Sequence, residues 1–294
     1  MIPRAAIKRM PVWLVTWMLM LLFGGSAVKL LVALDRQRPS LARAGELSYL
    51  PKGEYLKVAV LGYRQLAADL IWLKVVQHLG DRNETKAGYR WAYHAVDVLT
   101  DLDPKFSFAY LAGGTVLGVW AGLVQESIEL LTKGMRYNPQ VWQLPFTVGY
   151  DYYYELHDVA SAAKYFRIAA MLPGCPEFVP KLAARMTVAA GDPDAALEFL
   201  QRFHQQVQDE RLREAIEQRM KEVIAERDIR FLEEAVRHYQ ARYRKRPTRL
   251  EDLVTRGIIA QLPVEPFGKA YQLKASDGTV STPGLPQRLQ VFRR

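Results

Sequence analysis

The hydrophobic pattern of the first fifty residues differs from that of the rest of the chain. Residues 12–28 form an apolar run of seventeen residues without a charge, and the apolar pattern continues to Leu34. At about 1.5 Å per helical residue the run spans roughly 26 Å and the longer segment roughly 35 Å, which brackets the hydrocarbon core of a bilayer. The pattern therefore predicts one transmembrane helix over 12–34, between a basic N-terminus (1–11) and a polar linker (35–53). The residues expected to form this membrane anchor include Val12, Trp13, Trp17, Leu22 and Val28.

The small residues Gly25, Ser26 and Ala27 leave a cleaved signal peptide open as a second interpretation. Basic residues lie on both sides of the apolar run, so the positive-inside rule does not decide the orientation. The signal-like layout predicts a single-pass protein of the inner (plasma) membrane whose soluble body is extracytoplasmic.

Beyond the linker the hydrophobic period becomes helical. Residues 54–84 form a leading segment in which apolar side chains recur with a spacing of three to four residues, and Gly80 ends the pattern. Arg64 and Asp69 interrupt this helix, either as paired or snorkelling side chains or as part of a ligand site.

Three prolines close three successive helical segments. Pro104, Pro139 and Pro173 are separated by 35 and 34 residues. A period of this length is typical of helix-turn-helix repeats, in which one unit buries its apolar face only by stacking on the next.

Within this period the third unit has Gly149 and Tyr152 in the order G-x2-Y, followed by Ala162, Phe166 and Ala169 in the order A-x3-F-x2-A. On these residues, segment 85–208 resembles the tetratricopeptide repeat (TPR) family. The resemblance implies an α-solenoid whose first helices line a concave groove for a peptide or a partner helix, without chemistry of its own. Tyr152 would lie in the core, and simple packing of the aromatic residues remains the other interpretation. The implied groove positions are Gln143, Phe146, Tyr150, Tyr153, Lys181, Arg185 and Val188.

The last eighty-six residues have a different character. Residues 209–247 are rich in opposite charges at a spacing of four and predict one long helix or two that cap the solenoid. Residues 248–294 predict a short helix that begins at Thr248, with Glu251 completing its cap, and a β-hairpin that turns at Asp277 and Gly278. This stretch resembles the C-terminal module of type II secretion pseudopilins, which implies a small docking module. The residues that match are Pro263, Pro266, Phe267, Gly268 and Tyr271.

Composition narrows the function classes. Half of the residues are apolar, and the single cysteine, Cys175, leaves no internal disulfide. The formal charge of +9 comes from the tails, because residues 1–50 carry seven Lys and Arg against two acidic residues and residues 269–294 carry five against one. Basic tails on a neutral body favour an anionic lipid surface over a nucleic acid.

An enzyme has weak support in the sequence. Asp101 and Asp103 form a D-x-D pattern, which metal-dependent glycosyltransferases use to hold a nucleotide-sugar cation, but the pattern stands at the end of a repeat where acidic residues are common. The five histidines show no i,i+3 or i,i+4 pairing, and no metal, cofactor or small-molecule substrate is expected.

The sequence therefore predicts an all-α protein: one transmembrane helix, an α-solenoid of TPR-like helix pairs, and a small C-terminal module of a helix and a hairpin. The expected function is a membrane-anchored scaffold that binds protein partners and lipid, an assembly factor of a bacterial envelope machine of the secretion or pilus type, and not an enzyme. An accessory subunit of a membrane enzyme complex and a transferase that uses Asp101 and Asp103 remain the alternatives.

Overall fold

The computed structural model describes residues 50–79 and 86–289, together with five helical positions nearer the N-terminus: Met20, Phe23, Gly25, Ser26 and Lys29. The chain divides into two compact units, Met1–Pro51 and Lys52–Arg294. The predicted anchor residues Val12, Trp13, Trp17, Leu22 and Val28 lie outside the described residues. Among the residues that are described, no helix is both long enough and apolar enough to cross a membrane.

The second unit is mostly helical, which confirms the predicted class at that level. A single antiparallel pair of short strands is present in the described part, β1 (Gln272–Lys274) and β2 (Thr279–Ser281). The helices α4 and α6 each continue into a π-helical turn, Val116–Trp120 and Asp151–Glu155 respectively. In chain order the helices are α1 (Gly53–Ala59), α2 (Arg64–Leu79), α3 (Lys86–Leu102), α4 (Ser107–Thr115), α5 (Val124–Tyr137), α6 (Gln143–Tyr150), α7 (Val159–Ala170), α8 (Phe178–Ala189), α9 (Pro193–Gln206), α10 (Glu210–Tyr243) and α11 (Glu251–Thr255).

The leading segment contains two helices rather than the one that the periodicity predicts. Leu61 and Gly62 both have positive φ values, +47° and +95°, which no helix accommodates, so α1 and α2 are separated by a turn. Both helices pack against α3.

From α2 to α9, each helix packs against the next one along the chain. The same close contact recurs in two successive pairs. A Cβ atom on Gly114 of α4 would lie 2.7 Å from Leu131 of α5, and a Cβ atom on Gly149 of α6 would lie 2.9 Å from Phe166 of α7. Thirty-five residues separate the two glycines, and thirty-five separate their partners. A residue without a side chain thus lets the first helix of each pair approach a large apolar group of the second.

The helix ends follow the same period. Pro104, Pro139 and Pro173 each lie in the turn that follows a helix, α3, α5 and α7 respectively. The two π-helical turns are also 35 residues apart.

The core of the later helices continues into α10, a single helix of 34 residues. Its first half contributes the fully buried Ile216 and Val223 to the cluster formed by α7, α8 and α9. Its second half contributes Ile229, Leu232 and neighbouring residues to a separate cluster with the C-terminal tail. One helix therefore joins the repeat-like region to the tail.

The tail packs onto this second half through α11 and the hairpin. The helix expected to begin at Thr248 begins instead at Glu251, and the cap is made differently. The backbone N–H and the hydroxyl of Thr248 both donate to Asp252, at 2.9 Å, and not to Glu251. The same carboxylate of Asp252, four residues after Thr248, also accepts the backbone N–H of Arg249 at 3.0 Å. The hairpin turn lies at Asp277 and Gly278, as predicted, and Gly278 has a φ of +82°.

Candidate partner-binding surface

Five aromatic side chains of α6, the second π-helical turn and α8 form what we call the aromatic surface: Phe146, Tyr150, Tyr153, Tyr154 and Phe178. The rings of Phe146 and Phe178 meet edge to face with their centroids 5.9 Å apart, which joins α6 to α8. Tyr154 lies 4.4 Å from Tyr150 and 4.7 Å from Tyr153, measured between ring centroids. The aromatic surface thus consists of two groups of rings, Phe146 with Phe178 and Tyr154 with Tyr150 and Tyr153.

The accessible part of this surface consists of Tyr154 and Phe178, whose exposed fractions are 52% and 51%. The sequence prediction named neither residue. Phe146, Tyr150 and Tyr153, which it did name, are half-buried, and Phe146 and Tyr153 also pack against the core of α7 to α9. Phe146 contacts the ring of Phe178, and Tyr150 and Tyr153 contact the ring of Tyr154. Gln143, at the first position of α6, is exposed.

The structure also bears on two other sequence predictions for this region. Val188 is fully buried and cannot line a groove, because its side chain belongs to the core cluster. Tyr152, expected in the core, is half-buried, packs against that cluster and stacks on Tyr165 of α7 with the ring centroids 5.4 Å apart.

Basic side chains of α8 border the aromatic surface. Lys181 is half-buried and lies 3.7 Å from Glu177, at the long end of an ion pair. Arg185 lies one turn further along the helix, close enough to Tyr153 for its charge to act on the phenol. Burial raises the pKa of Tyr153 and the nearby Tyr154 raises it further, whereas Arg185 lowers it. Burial likewise raises the pKa of Tyr150. The phenols are therefore neutral hydrogen-bonding groups at physiological pH.

A buried carboxyl group lies beneath the second π-helical turn. Asp151 has no solvent exposure, and its Oδ2 atom lies 2.6 Å from the hydroxyl of Ser127 on α5. The other oxygen, Oδ1, has no hydrogen-bond partner among the described residues and faces Gly118 of the first π-helical turn. Burial raises the pKa of Asp151 to about 6, although the hydrogen bond with Ser127 opposes the shift. This group connects the two π-helical turns with α5.

The two carboxylates of the D-x-D pattern have separate partners. Asp101 forms an ion pair of 2.8 Å with Lys133 of α5. Asp103 accepts the backbone N–H of Lys105 at 3.1 Å. Asp103 also lines a cavity of about 530 Å³ beside Tyr63, Arg64 and Pro104, but Asp101 does not. Within the described part of the chain, no group of three His, Cys, Asp or Glu side chains could hold a metal ion.

The loop between Pro263 and Tyr271, where the sequence predicts a docking module, is organised by one buried carboxylate. Glu265 accepts the backbone N–H groups of Phe267 and Lys269 through Oε2, both at 2.8 Å, and the hydroxyl of Thr282 through Oε1. Tyr271 donates from its hydroxyl to Asp228 of α10 at 3.0 Å. The loop is thus closed on itself and held against the long helix.

Residues near the C-terminal end of the described chain attach to the same helix through charges. Arg288 donates to Glu226 at 2.7 Å and to Glu233 at 3.0 Å. Glu226 is fully buried and also accepts from Arg230 at 2.9 Å. Burial alone would raise the pKa of Glu226, but Arg288 and Arg230 hold it below its usual range. An ion network therefore supplements the apolar contacts between tail and helix.

The chain matches no protein-family profile. No curated protein is significantly similar to it in sequence.

Proposed function

We propose that this protein is a membrane-anchored, TPR-like scaffold that holds a protein partner on the aromatic surface. The expected ligand is a peptide or a helix of another protein, and no cofactor or small-molecule substrate takes part.

The repeat arrangement of the scaffold is supported by three features with one period. The glycine contacts Gly114–Leu131 and Gly149–Phe166, the two π-helical turns and the proline-containing turns all recur at about 35 residues. Because each helix packs mainly against its neighbours in the chain, the successive units are compatible with a solenoid.

The observation that carries the binding proposal is that two exposed rings, Tyr154 and Phe178, each contact half-buried aromatic rings, with Lys181 and Arg185 further along the helix that contains Phe178. Large aromatic side chains and arginine are the residue types that most often contribute the strongest contacts of protein interfaces. Here the rings are held by the half-buried aromatics below them, so little side-chain entropy is lost on binding. The two basic residues favour a partner segment that combines apolar and acidic side chains.

The cellular setting is proposed from the sequence. The apolar run 12–34 supports a single-pass anchor in the inner membrane, with the body on the extracytoplasmic side. The pseudopilin-like tail supports a role in the assembly of a bacterial envelope machine of the secretion or pilus type. The closed loop around Glu265 and its attachment to α10 fit a module with a fixed shape, as docking requires.

The test is quantitative affinity capture from detergent-solubilised membranes of the native host, followed by mass spectrometry. Combined Tyr154→Ala and Phe178→Ala substitutions should reduce the capture of a specific partner by about tenfold or more, since two hot-spot rings are lost. The melting temperature should change little, because both side chains are half exposed. Phe231→Ala, which removes a ring of 50% exposure from α10, is the matched control and should leave capture unchanged.

Equal capture of the partner by the unmodified protein, the double variant and Phe231→Ala would contradict the proposal. Co-purification of cofactor-bearing chains in fixed stoichiometry, unaffected by the two substitutions, would favour the accessory-subunit alternative instead.

A further inference from the structure

The helix α2 is apolar on two opposite sides. Its inward side contains the fully buried Ala68 and Val75, which face the body of the protein. Trp72 contacts Phe106 and Phe108 edge to face, with centroid distances of 5.7 and 5.8 Å, so the inward side is already packed. The outward side contains Leu66, Leu70 and Leu73, whose exposed fractions are 57%, 56% and 57%. A helix that is apolar on both sides is typical of one that is covered on both sides.

The outward leucines follow the spacing of a coiled-coil seam. Leu66, Leu70, Leu73 and Gln77 alternate steps of four, three and four residues, which are the d, a, d and a positions of a heptad. Ala68 and Val75 occupy f positions, directly opposite the seam, and both side chains are fully buried. The heptad frame and the observed burial therefore agree.

Charges beside the seam indicate what covers it. Asp69 occupies a g position and Lys74 the e position five residues later. Both side chains are exposed, and neither forms an ion pair with any described residue. In a parallel two-stranded coiled coil, a g residue of one chain meets the e residue five positions later on the other chain. A second copy of α2 would thus bring Asp69 to Lys74 on both sides of the seam, and a polar Gln77 at an a position would favour this register.

We propose that the outward face of α2 pairs in parallel with the same face of a second copy of this chain. The contact is separate from the aromatic surface, so it does not depend on the proposed partner binding. Each protomer of the resulting dimer would still present its own Tyr154 and Phe178.

Disulfide crosslinking tests the pairing and its direction. Leu66→Cys and Gln77→Cys are made separately in the full chain, with Cys175→Ser to remove the native thiol, and the protein in non-ionic detergent is oxidised. In a parallel, in-register pair each new cysteine meets its own counterpart, so both variants should form a covalent dimer. Gln65→Cys, an exposed position on the same helix away from the seam, is the matched control and should form no covalent dimer.

Three results would overturn the proposal. Failure of Leu66→Cys and Gln77→Cys to crosslink would indicate that the face is covered by lipid or another protein, or pairs antiparallel. Crosslinking of Gln65→Cys to the same extent would indicate random collision. A monomer at micromolar concentration in sedimentation would exclude the dimer itself.

Charge reversal provides the second test without changing the seam. Asp69→Lys alone should weaken the dimer by about tenfold, because two attractive pairs become repulsive ones. Adding Lys74→Asp restores opposite charges and should return the dissociation constant to that of the unmodified chain. The double variant also controls for folding, and its failure to recover would refute the Asp69–Lys74 pairing.

Discussion

The carboxyl group of Asp151 and the hydroxyl group of Ser127 lie 2.6 Å apart in a site without solvent access. The same hydroxyl lies 2.9 Å from the carbonyl oxygen of Gly114. A hydroxyl has one proton and cannot donate to both acceptors. If Asp151 is protonated it donates to Ser127, and Ser127 donates to Gly114, so both hydrogen bonds are made. The protonated acid therefore satisfies one more hydrogen bond than the carboxylate does, which agrees in direction with the raised pKa of Asp151.

Asp151→Asn should stabilise the protein at neutral pH. The pKa of Asp151 rises from 3.8 to about 6 on folding, so the folded state binds the proton more tightly and stability falls as the pH rises through this range. The uncharged amide avoids this loss. We therefore expect the free energy of unfolding of Asp151→Asn to exceed that of the unmodified protein by about 2–3 kcal/mol at pH 7 and by almost nothing at pH 4. Urea unfolding of both proteins at the two pH values measures this difference.

The control for this prediction is Asp158→Asn. Asp158 caps α7 by accepting the backbone N–H of Ser161, and its hydrogen bonds with Ser161 lower the pKa of the carboxyl group. Its contribution to stability is therefore present at neutral pH and lost in acid, so the control should not gain stability at pH 7. If the free energy of unfolding depended on pH in the same way in the unmodified protein and in Asp151→Asn, the raised pKa of Asp151 would be contradicted.

The glycine contact between paired helices predicts the effect of a single methyl group. Gly149→Ala should destabilise the protein by about 1–3 kcal/mol, because the new Cβ atom would meet the ring of Phe166. In the double variant with Phe166→Leu, the smaller side chain should remove part of that cost, which a double-mutant cycle measures. Thr147→Ala, on the same helix, should have little effect. Additive costs for Gly149→Ala and Phe166→Leu would contradict a close contact.

The helical character of the chain could be predicted from the sequence because it depends on the spacing of apolar residues and on prolines. The division of the leading segment could not, since the turn requires a positive φ at Leu61, a residue that rarely adopts one. The start of α11 was also misplaced, because two acidic residues, Glu251 and Asp252, stand within reach of Thr248 and spacing alone favoured the wrong one.

The predicted groove residues and the exposed rings are not the same set. An α-helical register places both Tyr153 and Tyr154 beside Tyr150, because side chains three and four residues apart are neighbours, and the prediction took only Tyr153. In the structure Tyr154 lies 4.4 Å from Tyr150 between ring centroids and is exposed, whereas Tyr153 is half-buried. Spacing alone does not decide which of two adjacent residues is the exposed one.

Neighbouring tyrosines should therefore respond differently to substitution. Tyr153→Ala should lower stability by about 1–3 kcal/mol, because the ring packs against the core of α7 to α9. Tyr154→Ala should leave the melting temperature nearly unchanged, since about half of the side chain is exposed. Thermal unfolding of the two variants measures this, and equal losses would show that Tyr154 is also a core residue.

The tail should depend on Arg288. Arg288→Met leaves the buried Glu226 with Arg230 as its remaining ion-pair partner, which should cost about 3 kcal/mol and expose the tail to limited proteolysis. Arg237→Met, which removes an exposed ion pair with Glu234 on the same helix, is the control and should have little effect. Because the arginines lower the pKa of Glu226, the network should weaken as the pH falls below the usual range of a glutamate. Unchanged protease resistance in Arg288→Met would contradict this role.

The central claim is that the aromatic surface holds a protein partner, and site-specific photocrosslinking tests it most directly. A photoreactive phenylalanine analogue is placed at position 154, 178 or 231 of the full chain in cells of the native host. The account predicts that positions 154 and 178 crosslink to one and the same protein, whereas position 231, which has a similarly exposed ring on α10, does not. Crosslinks from all three positions alike, or different products from 154 and 178, would contradict it.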